Sequence, residues 1–317
     1  GDGGGSIRIP AAHCGVFGLK TSRHRLPRSR IQLPGDIQSE FCVTRSVRDS
    51  ARLLAAIERR DGPLAPVGLV DRPLERPLRI VVSTRDGHDR DAEPEVRAAV
   101  AAAAALCESL GHHVAEGRPD LEHRALYEAF LDLWASVPES LIFGWRRLAI
   151  RLATGRLLTP LDQMFEPWTL GLAAWSRRRR AGRADPVAAA LARFELEAAK
   201  YDAFFATQAD VWITPVLREP PPPLGHLAPD APFETLMARI LAHAGHTPLH
   251  NALGAPAMSV PLHWTAEGLP IGVQFAARAG ADGLLLGLAL ALEAAAPWAE
   301  RAPPALFPAA QAPLPSP

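Results

Sequence analysis

Three consecutive glycines and a serine stand at the start of this chain, Gly3-Gly4-Gly5-Ser6, between Asp2 and Ile7-Arg8-Ile9-Pro10. Glycine adopts backbone angles closed to other residues, so a glycine run can turn successive N–H groups into one concavity. A serine that follows such a run has its hydroxyl beside a set of backbone donors. Acyl transfer asks for that arrangement: the hydroxyl attacks a carbonyl carbon, and the amides hold the developing oxyanion. One such donor typically contributes about 2.7–4 kcal/mol of transition-state stabilisation.

Other uses of a glycine-rich loop fit less well. A phosphate-binding P-loop needs Gly-Lys-Ser/Thr after its spaced glycines. The dinucleotide fingerprint needs a third glycine where Ser6 stands, and a strand before it. The Gly-x-Ser-x-Gly nucleophile elbow would need glycine in place of Arg8. A flexible linker would show no pattern beyond Ser6. Yet Ile7 to Lys20 continue as a patterned, partly apolar segment.

Asp2 to Ala11 resembles the second half of the amidase signature: acidic, any, small, any, serine, aliphatic, arginine, any, proline, small. Cys14-Gly15-Val16-Phe17-Gly18-Leu19-Lys20 is similar to the segment that follows it in that family. Further likenesses are Thr44 to Asp49, Ile213-Thr214-Pro215, Gly254 to Pro261 and Gly268 to Gln274. Thr44 to Asp49 and the Leu-rich final segment resemble the branch acting on 6-aminohexanoate cyclic dimers.

The resemblance implies a Ser–Ser–Lys amidase that hydrolyses a carboxamide without metal or organic cofactor. It assigns the nucleophile to Ser6, oxyanion-hole amides to Gly3, Gly4, Gly5 and Ser6, and loop bracing to Asp2 and Arg8. The family's bridging serine and lysine match no residue here. Lys20 and Lys200 are the only lysines, and Lys20 does not stand at the family's catalytic position. The chain begins inside the signature. The expectation is therefore a C-terminal portion of one amidase signature domain over residues 1–305, with little activity alone. A non-catalytic truncated gene product, or an amidotransferase A-type subunit acting with partners on charged tRNA, are the alternatives.

Other chemistry-bearing residues read plainly. His243, His246 and His250 have spacing suited to one helix face, but Pro248 interrupts it and no acidic or cysteine ligand accompanies them. They read as loop and core histidines rather than a metal site. Arg177 to Arg180 read as a solvated helix face, because the formal net charge is +0 and no aromatics interleave. Nucleic acid is not an expected partner; a small amide is, and a homodimer is left open. Cys14, Cys42 and Cys107 form no Cys-x-x-Cys pair, which fits a reducing, cytoplasmic setting. The apolar run Leu284 to Ala296 is too short for a membrane span of about 20 residues.

The elements that must carry the loop follow from composition and period. With 48% hydrophobic and 21% charged residues, the 317-residue chain can bury a core. Residues 1–20 read as a loop, then irregular or strand-like structure. Ser46 to Asp49 read as a helix start leading to about Asp61. Leu78 to Thr84 form a β-branched strand, Glu93 to Leu110 a helix stopped by Gly111, and His112 to Ala115 another strand, which makes a βαβ unit. Residues 121–205 read as helical, with tryptophans that pack or line a substrate pocket. Val211 to Val216, Ala257 to Trp264 and Gly272 to Ala277 are strands, the last two as a hairpin. Asp282 caps a final helix, and 306–317 form a Pro/Ala-rich tail. The expected fold class is α/β: a mixed twisted central sheet with helices on both faces, its N-terminal part missing.

Overall fold

The computed structural model describes residues 1–27, 34–144 and 159–299, with 152, 155 and 301. Along the chain these form α1 (Arg8–Cys14), β1 (Phe17–Lys20), β2 (Val43–Thr44), α2 (Val47–Ile57), β3 (Arg79–Val82), α3 (Pro94–Ser109) and β4 (His113–Glu116). There follow α4 (His123–Ile142), α5 (Pro167–Arg180), α6 (Pro186–Thr207), β5 (Val211–Pro215), α7 (Phe233–His243) and α8 (Pro248–Leu253). The last elements are β6 (Ala257–Trp264), β7 (Pro270–Ala276) and α9 (Asp282–Ala295). Trp145 and the tail 306–317 lie outside the described residues.

The strands make one mixed sheet in the order β2-β1-β6-β7-β5-β3-β4. β3 runs parallel to β4 and β5, while the other neighbours are antiparallel. β3, α3 and β4 are the expected βαβ unit, with Ile80 opposite Val114. The β6–β7 pair is the expected hairpin, turned at Gly268 with φ +85. Ser46 caps α2 as its sequence suggested, its hydroxyl accepting the Asp49 N–H at 3.3 Å.

β5 shows how the sheet is held. All five of its residues are buried, and they alternate between two cores. Val211 and Ile213 join the core that includes Leu54, Val96 and Leu288 from α2, α3 and α9. Trp212 joins the opposite core with Leu133, Phe194 and Leu253 from α4, α6 and α8. Helices therefore cover both faces, the α/β architecture expected.

Three local expectations are corrected. Residues 8–14 are helical, not irregular or strand-like. Pro10 sits in the first turn, where its missing N–H is not needed, and Gly15 ends the helix in the left-handed region at φ +63. Asp282 is no cap: it is the first residue of α9 and fully buried. Its carboxylate accepts the Ser22 N–H at 2.7 Å, the Ser22 hydroxyl at 2.6 Å and Arg25 Nε at 3.1 Å. The arginine run is only half solvated. Arg179 Nε meets Asp132 Oδ1 at 2.6 Å and Arg180 Nη1 meets Glu139 Oε2 at 2.9 Å, which ties α5 to α4.

Candidate active site

The glycine loop is built around one buried carboxylate. Asp2 Oδ1 accepts the Gly5 N–H at 2.7 Å. Oδ2 accepts the Ile7 N–H at 3.2 Å and the Arg8 N–H at 3.4 Å. A carboxylate taking several backbone donors folds the chain back on itself, and Ser6 lies at the outside of that curl, exposed. Of the four expected oxyanion amides, the Gly5 N–H is thus already engaged inside the loop. Among the described residues, the N–H groups of Gly3, Gly4 and Ser6 have no such bond.

Arg8 locks the curl to the C-terminal half of the chain. Its Nε and Nη2 donate to Asp2 at 3.0 Å each, and the pair is fully buried. Nη1 donates to the Thr247 carbonyl and to Gln274 Oε1, both at 2.9 Å, and Nη2 to Asn251 Oδ1 at 2.5 Å. Asn251 Nδ2 in turn donates to the Asp2 carbonyl at 2.7 Å. Thr247 Oγ1 donates to the Gly4 carbonyl at 2.7 Å, which fixes the peptide before Gly5. Asp2 and Arg8 together tie the glycine loop to residues 247–274. Thr247 and Asn251 escaped the sequence reading.

A cavity of about 170 Å³ opens beside Ser6. Its base is Gly3, Gly4, Ser6 and Ile9; α4 supplies Tyr127, Phe130, Leu131 and Trp134; Ile240, Leu241, Ala244 and Pro248 close the far side. Of the tryptophans in 121–205, Trp134 lines this cavity. Trp168 packs on Phe233 with centroids 5.2 Å apart, and Trp175 lies under the Arg179 guanidinium.

Burial raises the Asp2 carboxyl, but the Arg8 guanidinium outweighs it and holds the group well below the usual carboxylate range. Lys20 is buried in β1 and donates to the Thr21 carbonyl at 2.7 Å. Burial, helped by Arg8 and opposed by Asp2, pushes its ammonium down to about 7. Among the described residues no hydrogen bond joins Lys20 to Ser6.

The three histidines fall on different elements: His243 ends α7, His246 lies in the link, and His250 is in α8, all buried. His243 Nε2 faces His13 Nε2 at 2.9 Å, and its Nδ1 meets Glu219 Oε1 at 2.9 Å. Burial pushes His13 down to about 4, with His243 adding to it; burial does the same to His246, whose charged neighbours are Asp86, Arg90, Arg218 and Asp91. Both rings are neutral when folded, while the unfolded chain binds protons below about pH 6.5, so stability is lost as pH falls from there toward 4. His246 alone accounts for on the order of 2 kcal/mol by about pH 4.5. Urea unfolding at about pH 7 and about pH 4.5 checks this. The midpoint is expected to drop at the lower pH, and equal midpoints would refute it.

The sequence model of the amidase family matches residues 1–286. The chain belongs to the amidase signature family. A Mycobacterium tuberculosis family member named as an amidase, AmiC, is 39% identical over 311 residues, covering 94% of this chain and 61% of that protein. The 6-aminohexanoate-cyclic-dimer hydrolase of Paenarthrobacter ureafaciens is 32% identical over 337 residues, covering 98% and 65%. A solved structure of a 6-aminohexanoate cyclic dimer hydrolase superposes with a TM-score of 0.80 at 29% identity, over 96% of this chain and 65% of that one. A bacterial aryl acylamidase of the same family shares the fold, with a TM-score of 0.72 at 21% identity. This amidase-family chain thus spans about two thirds or less of its relatives' length. Among its described residues no helix is long and apolar enough to cross a membrane.

Proposed function

We propose that the protein hydrolyses a carboxamide through an acyl-enzyme on Ser6. The observation that carries this is an exposed serine that lines a cavity together with Gly3 and Gly4. Ser6 Oγ attacks the carbonyl carbon and loses its proton to a base. The oxyanion is held by the N–H groups of Gly3, Gly4 and Ser6, while the Gly5 N–H keeps the loop curled on Asp2. The base passes that proton to the nitrogen, and collapse breaks the C–N bond and releases the amine or ammonia. Water then cleaves the Ser6 ester to the carboxylate. The lysine and bridging serine that the family resemblance implies for the proton match no residue of this chain. Family membership, and relatives named as an amidase and as a cyclic-dimer hydrolase, support the reaction class.

A fluorophosphonate at alkaline pH tests the role of Ser6. The expected result is a covalent adduct on the peptide bearing Ser6 that Ser6→Ala abolishes. Labelling that persists in Ser6→Ala, or an unlabelled wild-type chain, would overturn it.

A further inference from the structure

The cavity beside Ser6 has a composition that selects among amides. Its α4 wall uses the positions spaced three and four apart that share a helix face: Tyr127, Phe130, Leu131 and Trp134. The charged residues Glu128 and Asp132 of the same helix are bonded away to Arg179 on α5. Among the described residues no carboxylate, ammonium or guanidinium lines the slot. The Tyr127 hydroxyl donates to the Ala244 carbonyl at 3.2 Å. Phe130 lies against the glycine loop so closely that a Cβ on Gly4 would stand 2.8 Å from its ring. Trp134 continues the wall, its ring 14° from parallel with Phe130 and 6.4 Å away. An apolar wall therefore begins at the oxyanion donors themselves.

Size narrows the choice further. An apolar protein cavity of about 150 Å³ holds one benzene molecule, and this one measures about 170 Å³. A charged terminus buried here would lose its hydration and find no partner. The group that remains on Ser6 through both half-reactions is the acyl group, whereas the amine must leave and water must enter. The apolar slot suits the first, and the solvent-exposed position of Ser6 suits the second.

We propose that the slot is an acyl-group subsite for a neutral apolar group, either a single six-membered ring or a chain of about six carbons, with Phe130 and Trp134 setting its shape. This rests on the reading of Ser6 as nucleophile only for which side of the amide it takes.

The test separates the two readings by measuring binding in the Ser6→Ala chain, where turnover plays no part. The probes are benzamide, hexanamide, acetamide and glutaramate, the last matching hexanamide in length but ending in a carboxylate. Titration calorimetry reports occupancy, in the Trp134→Ala variant as well. Each buried methylene is worth about fourfold in affinity, so hexanamide is expected to bind at least about tenfold tighter than acetamide. Glutaramate is expected to bind at least about tenfold more weakly than hexanamide. Ile240→Arg, in the same background, is expected to reverse the order of hexanamide and glutaramate. Trp134→Ala, with its fold checked by circular dichroism, is expected to favour octanamide over hexanamide. Equal binding of hexanamide and glutaramate, no measurable binding of benzamide or hexanamide, or an unchanged order in both variants would overturn the subsite. Selective binding together with unlabelled Ser6 would overturn the nucleophile and leave the slot standing.

Discussion

Arg8→Ala is expected to cost about 3–5 kcal/mol of folding stability, the range for removing one partner of a buried ion pair. Both Arg8 and Asp2 are fully buried, so solvent cannot take over from the lost guanidinium. The Asp2 carboxylate would keep its backbone donors and Asn251, but its counter-charge would be gone. The Thr247 carbonyl, Gln274 Oε1 and Asn251 Oδ1 would each lose a donor in the interior. Arg8→Lys is not expected to rescue it, because a point ammonium cannot span the fork of partners that the guanidinium reaches. Equilibrium urea unfolding, followed by tryptophan fluorescence, measures the loss. A change under about 1 kcal/mol would show that the network merely fills space.

Gly5→Ala should act mainly on the reactivity of Ser6. Gly5 has φ +133, a conformation in which a side chain costs about 1–3 kcal/mol. Its Cβ would also collide with Thr247 Oγ1 and stand 2.7 Å from Ile9 Cδ1. Thr247 has little freedom to retreat, since its hydroxyl holds the Gly4 carbonyl and its own carbonyl holds Arg8. The loop itself must move, carrying the Gly4 and Ser6 amides with it. A displacement of about 1 Å in such groups can cost about 100-fold in rate. The expected result is a drop of about that size in Ser6 labelling by the fluorophosphonate, with a folded chain by circular dichroism. Labelling at the wild-type rate would contradict the geometry assigned to the loop.

Where sequence and structure agree, the signal was local. The β3–α3–β4 unit follows from a β-branched run, a proline-started alanine helix and a glycine stop, all within forty residues. Ser46 capping and the β6–β7 hairpin are equally short-range. Asp2, Arg8 and the glycines stood out together because the motif that carries the family resemblance is one short run of the chain. What was missed depends on distance or on competition. α1 is only seven residues long, and its β-branched Ile9 and Pro10 mimic extended structure. Asp282 looked like a cap because Asp often is one, yet Ser22 and Arg25, some 260 residues earlier, claim its carboxylate. Arg179 looked solvated because Asp132 stands 47 positions away. The slot joins α4 to residues 240–248, and no periodicity in either segment announces the other.

The bonds from Arg8 to Asn251 and Gln274 close loops of 243 and 266 positions. Contacts so far apart in sequence are slow to form, since the intervening chain must be ordered first. During synthesis the glycine loop emerges more than two hundred residues before Asn251 and Gln274, the partners that clamp it. Until β7 exists, Gln274 is absent and the loop lacks one of its clamps. Ser6, the proposed nucleophile, is thereby kept unassembled on incomplete chains, and its labelling by the fluorophosphonate in a refolding experiment should appear with the last kinetic phase, not the first.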